Sequence, residues 1–307
     1  MTSSPDLRDR FRGALIGLAV GEALGAPAEF LSAAQVVERY GVIVDMVGGG
    51  CHELTPGQTT DATDMALRLA ESLAEHGAHD PEDVMRRYRD WFEQRPRDVS
   101  LTVRTVLLSY RAGTPWDLAS RRAWEILGHP VAANGSLMRC APLALLYYGD
   151  AGRRRKASLD ESMLTHFDPL AGWACVALND LLVAAMQDGL RERLPAVAAS
   201  LEEEDRRISA ALLEAETAEP EEVQNSAFVV DSLRTAVWAN LRAATFEEAL
   251  CTVVNLGDDA DTVGAITGAL AGAVHGEAGI PARWLAVLQL REPLRAVADR
   301  LAALAGV

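Results

Sequence analysis

Two acidic segments, far apart in the chain, combine residue types that could hold a divalent cation. TTDATD (59–64) precedes an apolar pattern with helical spacing, and DDADT (258–262) precedes a run rich in glycine and alanine. Carboxylate and hydroxyl oxygens are hard ligands that suit Mg²⁺ or Mn²⁺. If the two segments meet in space, their candidate metal ligands are Thr60, Asp61, Asp259, Asp261 and Thr262.

Helix capping is the alternative explanation for both segments. Threonine and aspartate side chains accept hydrogen bonds from the free amides of a first helical turn. One capping residue suffices for that purpose, whereas the second segment places three carboxylates within four positions. These carboxylates repel each other unless solvent or a cation relieves them. The second segment therefore favours a cation more strongly than the first.

The elements that must position these segments are predicted to be helices. Alanine and leucine dominate, only 6% of residues are aromatic, and apolar residues recur every three or four positions, for example over 178–185. Glycine-rich or polar stretches at 46–58, 128–135 and 255–261 predict loops. Since no internal repeat or low-complexity tract stands out, we expect one almost entirely α-helical domain over residues 1–307.

The helix predicted after the second acidic segment carries a glycine at every fourth position. These residues are Gly264, Gly268, Gly272 and Gly276. Each glycine costs about 1 kcal/mol of helix propensity relative to alanine. The stripe predicts very close approach of a neighbouring helix, which would bury this helix in a bundle and direct its acidic N-terminus at a pocket.

Composition and charge exclude several classes of protein. The chain has 307 residues, 49% of them hydrophobic and 24% charged, as in soluble globular proteins. A net charge of −15 argues against binding to nucleic acid and disfavours an anionic membrane surface. The four cysteines are scattered without a CxxC pair, and the N-terminus lacks the apolar core of a signal peptide. We therefore expect reduced thiols and a cytoplasmic location.

Five motifs, in one order along the chain, strongly resemble those of the ADP-ribosylglycohydrolase family. They are GALIGLAVGEALGAPAEF (13–30), GQTTDATDMAL (57–67), ANGSLMRCAPLAL (133–145), THFDPLAG (165–172) and NLGDDADTVGAITGALAGAVHG (255–276). Any one motif is weak, but five in register are highly specific. The resemblance covers nearly the whole chain.

The resemblance implies a compact, orthogonal, all-α bundle with a Mg²⁺ or Mn²⁺ centre at the bottom of an ADP-ribose cleft. The family has two ions there, and we expect one or two in this chain. It implies a metal-dependent hydrolase that removes ADP-ribose from modified protein side chains, with ADP-ribose or an ADP-ribosylated protein as its partner. The residues to which it gives catalytic roles are Asp61, Asp259, Asp261 and Glu29. The residues that it assigns to substrate binding are Glu29, Gly49, Asn134, Gly135, Ser136, Met138 and His166.

One departure from the family pattern affects the proposed chemistry. Ala62 stands where the family has a second aspartate, and a methyl group cannot coordinate a cation. Asp64 is a candidate replacement, and Glu22 takes the place of a more usual aspartate in the first helix. We hypothesise that the chain binds ADP-ribose but hydrolyses its linkage poorly. The alternatives are a non-catalytic ADP-ribose-binding module and a purely structural helical protein.

Overall fold

The computed structural model describes residues 6–129, 132–187 and 189–307, and within these ranges the chain is helical. The described part contains sixteen α-helices and no strand, only three isolated β-bridges. The helices are α1 (Leu7–Gly25), α2 (Ala33–Tyr40), α3 (Asp61–His76), α4 (Pro81–Glu93), α5 (Leu101–Arg111), α6 (Trp116–Ile126), α7 (Ala141–Leu146), α8 (Ala151–Met163), α9 (Pro169–Met186), α10 (Leu190–Leu201), α11 (Arg206–Thr217), α12 (Val229–Arg242), α13 (Phe246–Val254), α14 (Ala260–His275), α15 (Ala282–Val287) and α16 (Arg291–Ala305). The all-α prediction is confirmed.

Helices α1 and α14 lie antiparallel in direct backbone contact at the centre of the bundle. A methyl group built on Gly17 would lie 2.3 Å from the carbonyl oxygen of Gly268, and one on Gly21 would lie 1.9 Å from that of Gly264. No side chain fits at these distances, so only glycine permits this packing. The close approach predicted from the glycine stripe is confirmed, and its partner is the glycine-bearing face of α1.

The antiparallel pair places the end of α1 beside the start of α14. A methyl group on Gly25 would lie 2.2 Å from the carbonyl oxygen of Ala260. The chain that leaves α1 then pairs with the chain that enters α14, since the amide of Phe30 donates to the carbonyl oxygen of Asp258 over 2.8 Å. Glu29 and the second acidic segment are thereby brought to the same end of the bundle.

The helices at the two acidic segments begin at earlier residues than the sequence pattern predicts. The pattern predicts a helix from about residue 65 and a loop through 255–261, but α3 begins at Asp61 and α14 at Ala260. Carboxylates in a first turn are stabilised by the positive end of the helix dipole, which favours extending each helix over them. Asp61 and Asp261 therefore lie in first helical turns rather than in loops. In the loop predicted at 128–135, residues 130 and 131 lie outside the described ranges.

Helix α9 is long and apolar enough to cross a membrane by length and composition alone. It has a mean hydropathy of 1.5, and 83% of it is buried inside the fold. It packs against α8, α10 and α14. In this fold α9 is thus a core helix of the bundle.

Candidate functional site

A cavity of about 570 Å³ opens where the starts of α3 and α14 approach the end of α1. Its volume lies within the range of small-molecule sites, roughly 300–1,000 Å³. Among the residues expected from the sequence, those that line it are Glu29, Asp61, Asn134, Gly135, Met138, His166, Asp259 and Thr262. A depression of about 660 Å³ between α5 and α6 is lined by none of these residues. The two acidic segments and the 134–138 loop therefore share one cavity.

Carboxylates from three separate parts of the chain converge at this cavity, which Glu29 and Asp98 line and Asp261 adjoins. Oxygens of Glu29, Asp98 and Asp261 all lie within 4.8 Å of one another. Asp61 adjoins the same group through Asp98. Oxygen ligands on opposite sides of an octahedral Mg²⁺ are about 4.2 Å apart, since each bond is about 2.1 Å. The spacing of these carboxylates thus fits a hard divalent cation after a small closure.

Burial and mutual repulsion change the acidity of these groups. The pKa values of Asp61 and Asp261 are held well above their usual range, first by burial and then by neighbouring carboxylates. Burial is also the largest cause of the raised pKa of Glu29 and of Asp259. A bound cation would favour the ionised forms and offset the repulsion. The donor set therefore has the chemistry of a cation site.

The residues at the N-cap positions of α3 and α14 do not cap these helices with their side chains. Thr60 and Asp259 occupy the N-cap positions of α3 and α14, but neither side chain makes a capping hydrogen bond. Capping as the explanation of these two side chains is therefore wrong. At α3 the reason is that a residue of another helix supplies the acceptor in place of Thr60.

The capping acceptor of α3 is Glu22, which reaches across from α1. Its Oε1 accepts from Thr60 Oγ1 and from the amide of Ala62, both over 2.8 Å, and its Oε2 accepts from the amide of Thr63 over 3.2 Å. Complete burial raises the pKa of Glu22 to about 7. Glu22 thus brings a carboxylate to within hydrogen-bond distance of position 62, where the chain itself offers only a methyl group.

Asn134 connects the 134–138 loop with the second acidic segment. Its Nδ2 donates to Asp259 Oδ2 over 2.6 Å and also lies 2.8 Å from Ser232 Oγ. These contacts orient Asp259 toward the cavity that both residues line. The side chain of Asn134 is thus committed to Asp259, and any contact of this loop with a phosphate falls to its backbone.

His166 faces the cavity beside Gly135 as a neutral imidazole. Burial, and then the charge of Arg139, lowers the pKa of His166 to about 3. Its Nδ1 lies 2.8 Å from Thr165 Oγ1. A methyl group on Gly135 would come within 3.0 Å of the imidazole ring, so a larger residue there would displace the ring. The neutral ring can exchange hydrogen bonds with a ligand but cannot serve as a cation near neutral pH.

Four residues expected at the site do not line the cavity: Gly49, Thr60, Ser136 and Asp261. Asp261 nevertheless adjoins it, because one of its oxygens lies within 4.8 Å of those of Glu29 and Asp98, which do line it. Thr60 donates to Glu22, and Ser136 Oγ pairs with Ser162 Oγ over 2.8 Å. Gly49 pairs with Leu54 in the loop that follows α2. The predictions for Ser136 and Gly49 concern their backbone, and like the other assigned roles they stay predictions.

The geometry does not support Asp64 as a metal ligand that would compensate for Ala62. Asp64 Oδ2 accepts from Trp91 Nε1 over 2.9 Å and lies outside the cavity lining. Asp64 is three residues beyond Asp61, but the hydrogen bond with α4 holds its carboxylate away from the acidic cluster.

Three residues at the site were not found from the sequence. Asp98 belongs to no motif, because it lies in the connection between α4 and α5 and reaches the cluster only through the tertiary fold. Glu22 was noted only as a departure. Phe30 is 73% exposed at the cavity with a φ of 61°, a backbone conformation that is uncommon outside glycine. An aromatic residue directly after Glu29 was the one available signal for it.

Comparison with known proteins gives a consistent result over the whole chain. The ADP-ribosylglycohydrolase family profile matches residues 3–307. The ADP-ribosyl-dinitrogen reductase glycohydrolase of Rhodospirillum rubrum is 36% identical over 99% of this chain and 99% of its own. The ADP-ribosylarginine hydrolase Tri1 of Serratia proteamaculans is 33% identical over 95% of this chain and 79% of its own.

A more distant relative and a solved structure agree with this result. The ADP-ribosylhydrolase ARH3 of Bos taurus is 28% identical over 90% of this chain and 87% of its own. A solved structure described as an ADP-ribosylglycohydrolase-related protein complex superimposes with a TM-score of 0.82 at 37% identity. That match covers 98% of this chain and 99% of the other.

Proposed function

Because the chain belongs to the ADP-ribosylglycohydrolase family, whose named members are glycosidases acting on ADP-ribose linkages, we propose that it is a divalent-cation-dependent hydrolase of ADP-ribosylated protein side chains. The observation that carries the proposal is the convergence of the Glu29, Asp98 and Asp261 carboxylates within 4.8 Å of one another beside the cavity. Carboxylates so close together need a cation or protons to coexist, and their donor set suits Mg²⁺ or Mn²⁺.

Arginine is the side chain that we propose as the carrier of the ADP-ribose. Two relatives at 33% and 32% identity are named ADP-ribosylarginine hydrolases. The acidic cavity also suits a guanidinium leaving group, because its carboxylates attract the positive charge. The bond to be cleaved would then be the N-glycosidic bond at the anomeric carbon of the distal ribose.

The residues that would hold the cation are Thr60, Asp61, Asp259, Asp261 and Thr262, with Glu29 and Asp98 in reach. The ion would orient the ribose hydroxyls and a water molecule and lower the pKa of that water. Asp259, oriented by Asn134, is positioned to take or give a proton. Glu29 would stabilise the positive charge that develops on the ribose in an oxocarbenium-like transition state.

Ala62 supports a second candidate, an ADP-ribose-binding protein with little turnover. Its methyl group is buried at 1% exposure in the first metal motif, where it supplies no ligand. Water can complete the coordination of Mg²⁺, so the loss of one carboxylate weakens the centre before it abolishes it. On this candidate the cavity binds ADP-ribose and the rate of hydrolysis is low.

Release of ADP-ribose from ADP-ribosylated arginine, with and without Mg²⁺, tests the proposal. We expect release that requires Mg²⁺, stops with EDTA and falls about 100-fold or more in Asp261→Asn, the loss typical of a key electrostatic group. Asp64→Asn is the matched control, since this aspartate lies outside the cavity. Calorimetry with ADP-ribose on the same sample distinguishes the two candidates, because binding without turnover selects the ADP-ribose-binding protein. Turnover that EDTA does not affect contradicts a cation-dependent hydrolase.

A further inference from the structure

The loop between α2 and α3 carries two potential metal ligands that the proposed reaction does not use. Gly49 and Leu54 close the loop with two backbone hydrogen bonds, of 2.7 and 3.0 Å, and leave Cys51 and His52 at its tip. Arg97 Nη1 donates to the carbonyl oxygen of His52 over 2.9 Å. The loop is therefore fastened to the segment before α5 and holds its tip in place.

The tip of the loop meets the edge of the acidic cavity at Glu29. Glu29 Oε2 lies 3.3 Å from Cys51 Sγ and 2.9 Å from His52 Nε2. The ligand atoms of all three residues lie within 4.8 Å of one another. Asp98 Oδ1 lies 3.9 Å from the same imidazole nitrogen. A thiol, an imidazole and a carboxylate thus face a common point, and a second carboxylate, that of Asp98, lies beside the imidazole.

His52 indicates that this point is not completed by protein contacts alone. Its Nε2 is shielded from solvent and has no hydrogen bond of good geometry among the described residues, although Glu29 is near. A buried polar atom without a well-directed partner is costly and rare in folded proteins. A bound cation would use the lone pair that Nε2 carries in the neutral tautomer protonated at Nδ1.

The spacing and the donor types fit a tetrahedral, thiophilic cation. Zn²⁺ binds sulfur at about 2.3 Å and nitrogen or oxygen at about 2.0–2.2 Å, so its ligands lie roughly 3.3–3.6 Å apart. A sulfur–oxygen pair on such an ion lies about 3.6 Å apart and a nitrogen–oxygen pair about 3.3–3.4 Å apart. The observed Sγ–Oε2 distance of 3.3 Å must therefore open by about 0.3 Å, and the Nε2–Oε2 distance of 2.9 Å by about half an ångström. Mg²⁺ prefers oxygen ligands only, so this group and the aspartate cluster select different ions.

We propose that Cys51, His52 and Glu29 form a site for a thiophilic divalent cation such as Zn²⁺, with Asp98 or water as the fourth ligand. The thiol proton leaves to solvent as the sulfur–metal bond forms. Occupancy withdraws Glu29 from the ADP-ribose cavity and inhibits hydrolysis. Binding stands on the geometry alone, whereas inhibition rests on the proposed function.

Cobalt titration of the full chain tests binding without any need for turnover. Co²⁺ replaces Zn²⁺ in such sites, and a cobalt–thiolate bond gives a near-ultraviolet charge-transfer band. We expect this band in the wild-type chain, its loss in Cys51→Ser and a weaker apparent affinity in His52→Ala. Asp261→Asn should keep the band, because this aspartate does not belong to the thiol site. Cys251→Ser is the matched control, since Cys251 is a half-buried free thiol on α13.

Two results of the titration would overturn the binding proposal. One is the absence of a thiolate band in the wild-type chain at saturating Co²⁺. The other is a band that persists in Cys51→Ser or disappears in Cys251→Ser, because the band would then arise from a different cysteine.

Inhibition is measured separately, as the Zn²⁺ concentration that halves ADP-ribose release at saturating Mg²⁺. We expect this concentration to rise by at least about 10–100-fold in Cys51→Ser, since even the loss of a residue that only orients a metal ligand costs a site that much affinity. Equal inhibition of the wild-type chain and Cys51→Ser would overturn the inhibitory role, since Zn²⁺ would then act at the aspartates. A chain with no turnover at all would contradict the proposed function, while the cobalt band still decides whether the site exists.

Discussion

Glu22 and Ala62 show how a single residue can alter a site without altering the fold. The amides of Ala62 and Thr63 donate to Glu22, so the start of α3 keeps an acceptor although position 62 itself offers only a methyl group. Burial of Glu22 is offset by three donors, which is what makes an acidic group tolerable at 0% exposure. The positioning of Asp61 is therefore preserved, and what is missing is one potential ligand.

Restoring the missing carboxylate should raise the rate. In Ala62→Asp we expect a lower Mg²⁺ concentration for half-maximal activity and faster release of ADP-ribose, because the centre regains an oxygen ligand. The new side chain adds charge beside Glu22, so the double variant Ala62→Asp with Glu22→Asp, which shortens the neighbour, should gain as much or more. Steady-state release measured over a Mg²⁺ titration checks this, and no gain in either variant contradicts the hypothesis of an impaired centre.

His166 should make the fold sensitive to acid. Its pKa of about 3 lies below the value of 6.5 for an unperturbed histidine. The unfolded chain therefore binds a proton that the folded chain rejects between these two pH values. This histidine thus costs up to about 1.4 kcal/mol of stability per pH unit as the pH falls from 6.5.

Urea unfolding of the wild-type chain and of His166→Asn, each at pH 7 and pH 5, measures how the free energy of unfolding changes with pH. The variant should lose less stability than the wild-type chain between the two pH values. His76→Asn is the control, because His76 lies partly exposed at the end of α3. A pH dependence that is the same in wild type and His166→Asn would show that this imidazole is not kept neutral by burial.

At the scale of elements, the close contact of α1 and α14 determines where the site forms. Gly268→Ala would place a methyl group 2.0 Å from the carbonyl oxygen of Gly17, with backbone rather than a flexible side chain in the way. We expect a loss of several kcal/mol, at the upper end of ordinary point mutations, and a loss of activity as the helices separate.

The same substitution on an exposed helix provides the matched control for Gly268→Ala. Gly152 lies in the first turn of α8, where a methyl group would meet only Asp150 Oδ1 at 3.6 Å. Gly152→Ala should stabilise the fold by up to about 1 kcal/mol through helix propensity. Thermal unfolding of both variants measures the contrast, and equal melting temperatures would mean that the helices do not need glycine at their contact.

The limits of prediction from sequence also lie at the scale of elements. The spacing of Gly264 and Gly268 is local information, so a close helix contact was predictable without knowing the partner. The role of Asp98 was not predictable, because it depends on where the connection between α4 and α5 folds back over the cavity. The acceptor for the amides of α3 was likewise hidden, since Glu22 reaches them from another helix.

Motif resemblance supplied what local patterns could not. It assigned Glu29, Asn134 and His166 to one site although they are remote in sequence, and the structure places all three around the same cavity. It did not reveal that the side chain of Asn134 is engaged by Asp259, because hydrogen-bond partners depend on the final packing.

At the scale of the whole molecule, a net charge of −15 and a buried carboxylate cluster act in the same direction. Like charges repel within a compact fold, and the repulsion grows as acidic groups ionise. A divalent cation in the cluster would relieve part of that repulsion and bind the folded state only. The stability of the whole chain should therefore report on the occupancy of the site.

Mg²⁺ should stabilise the fold more at pH 8 than at pH 5. The pKa of Glu22 is raised to about 7, and those of Asp61 and Asp261 are raised well above their usual range. Stability without metal is therefore highest when these groups are protonated, and it falls as the pH rises through their folded pKa values. Mg²⁺ at 100 times its dissociation constant contributes about 2.7 kcal/mol, and protons compete with it at pH 5. Melting temperatures in EDTA and in MgCl₂ at constant ionic strength measure the difference. The gain should vanish in Asp261→Asn and persist in Asp64→Asn; an equal gain at both pH values would mean that Mg²⁺ acts on the exposed surface and not in the cluster.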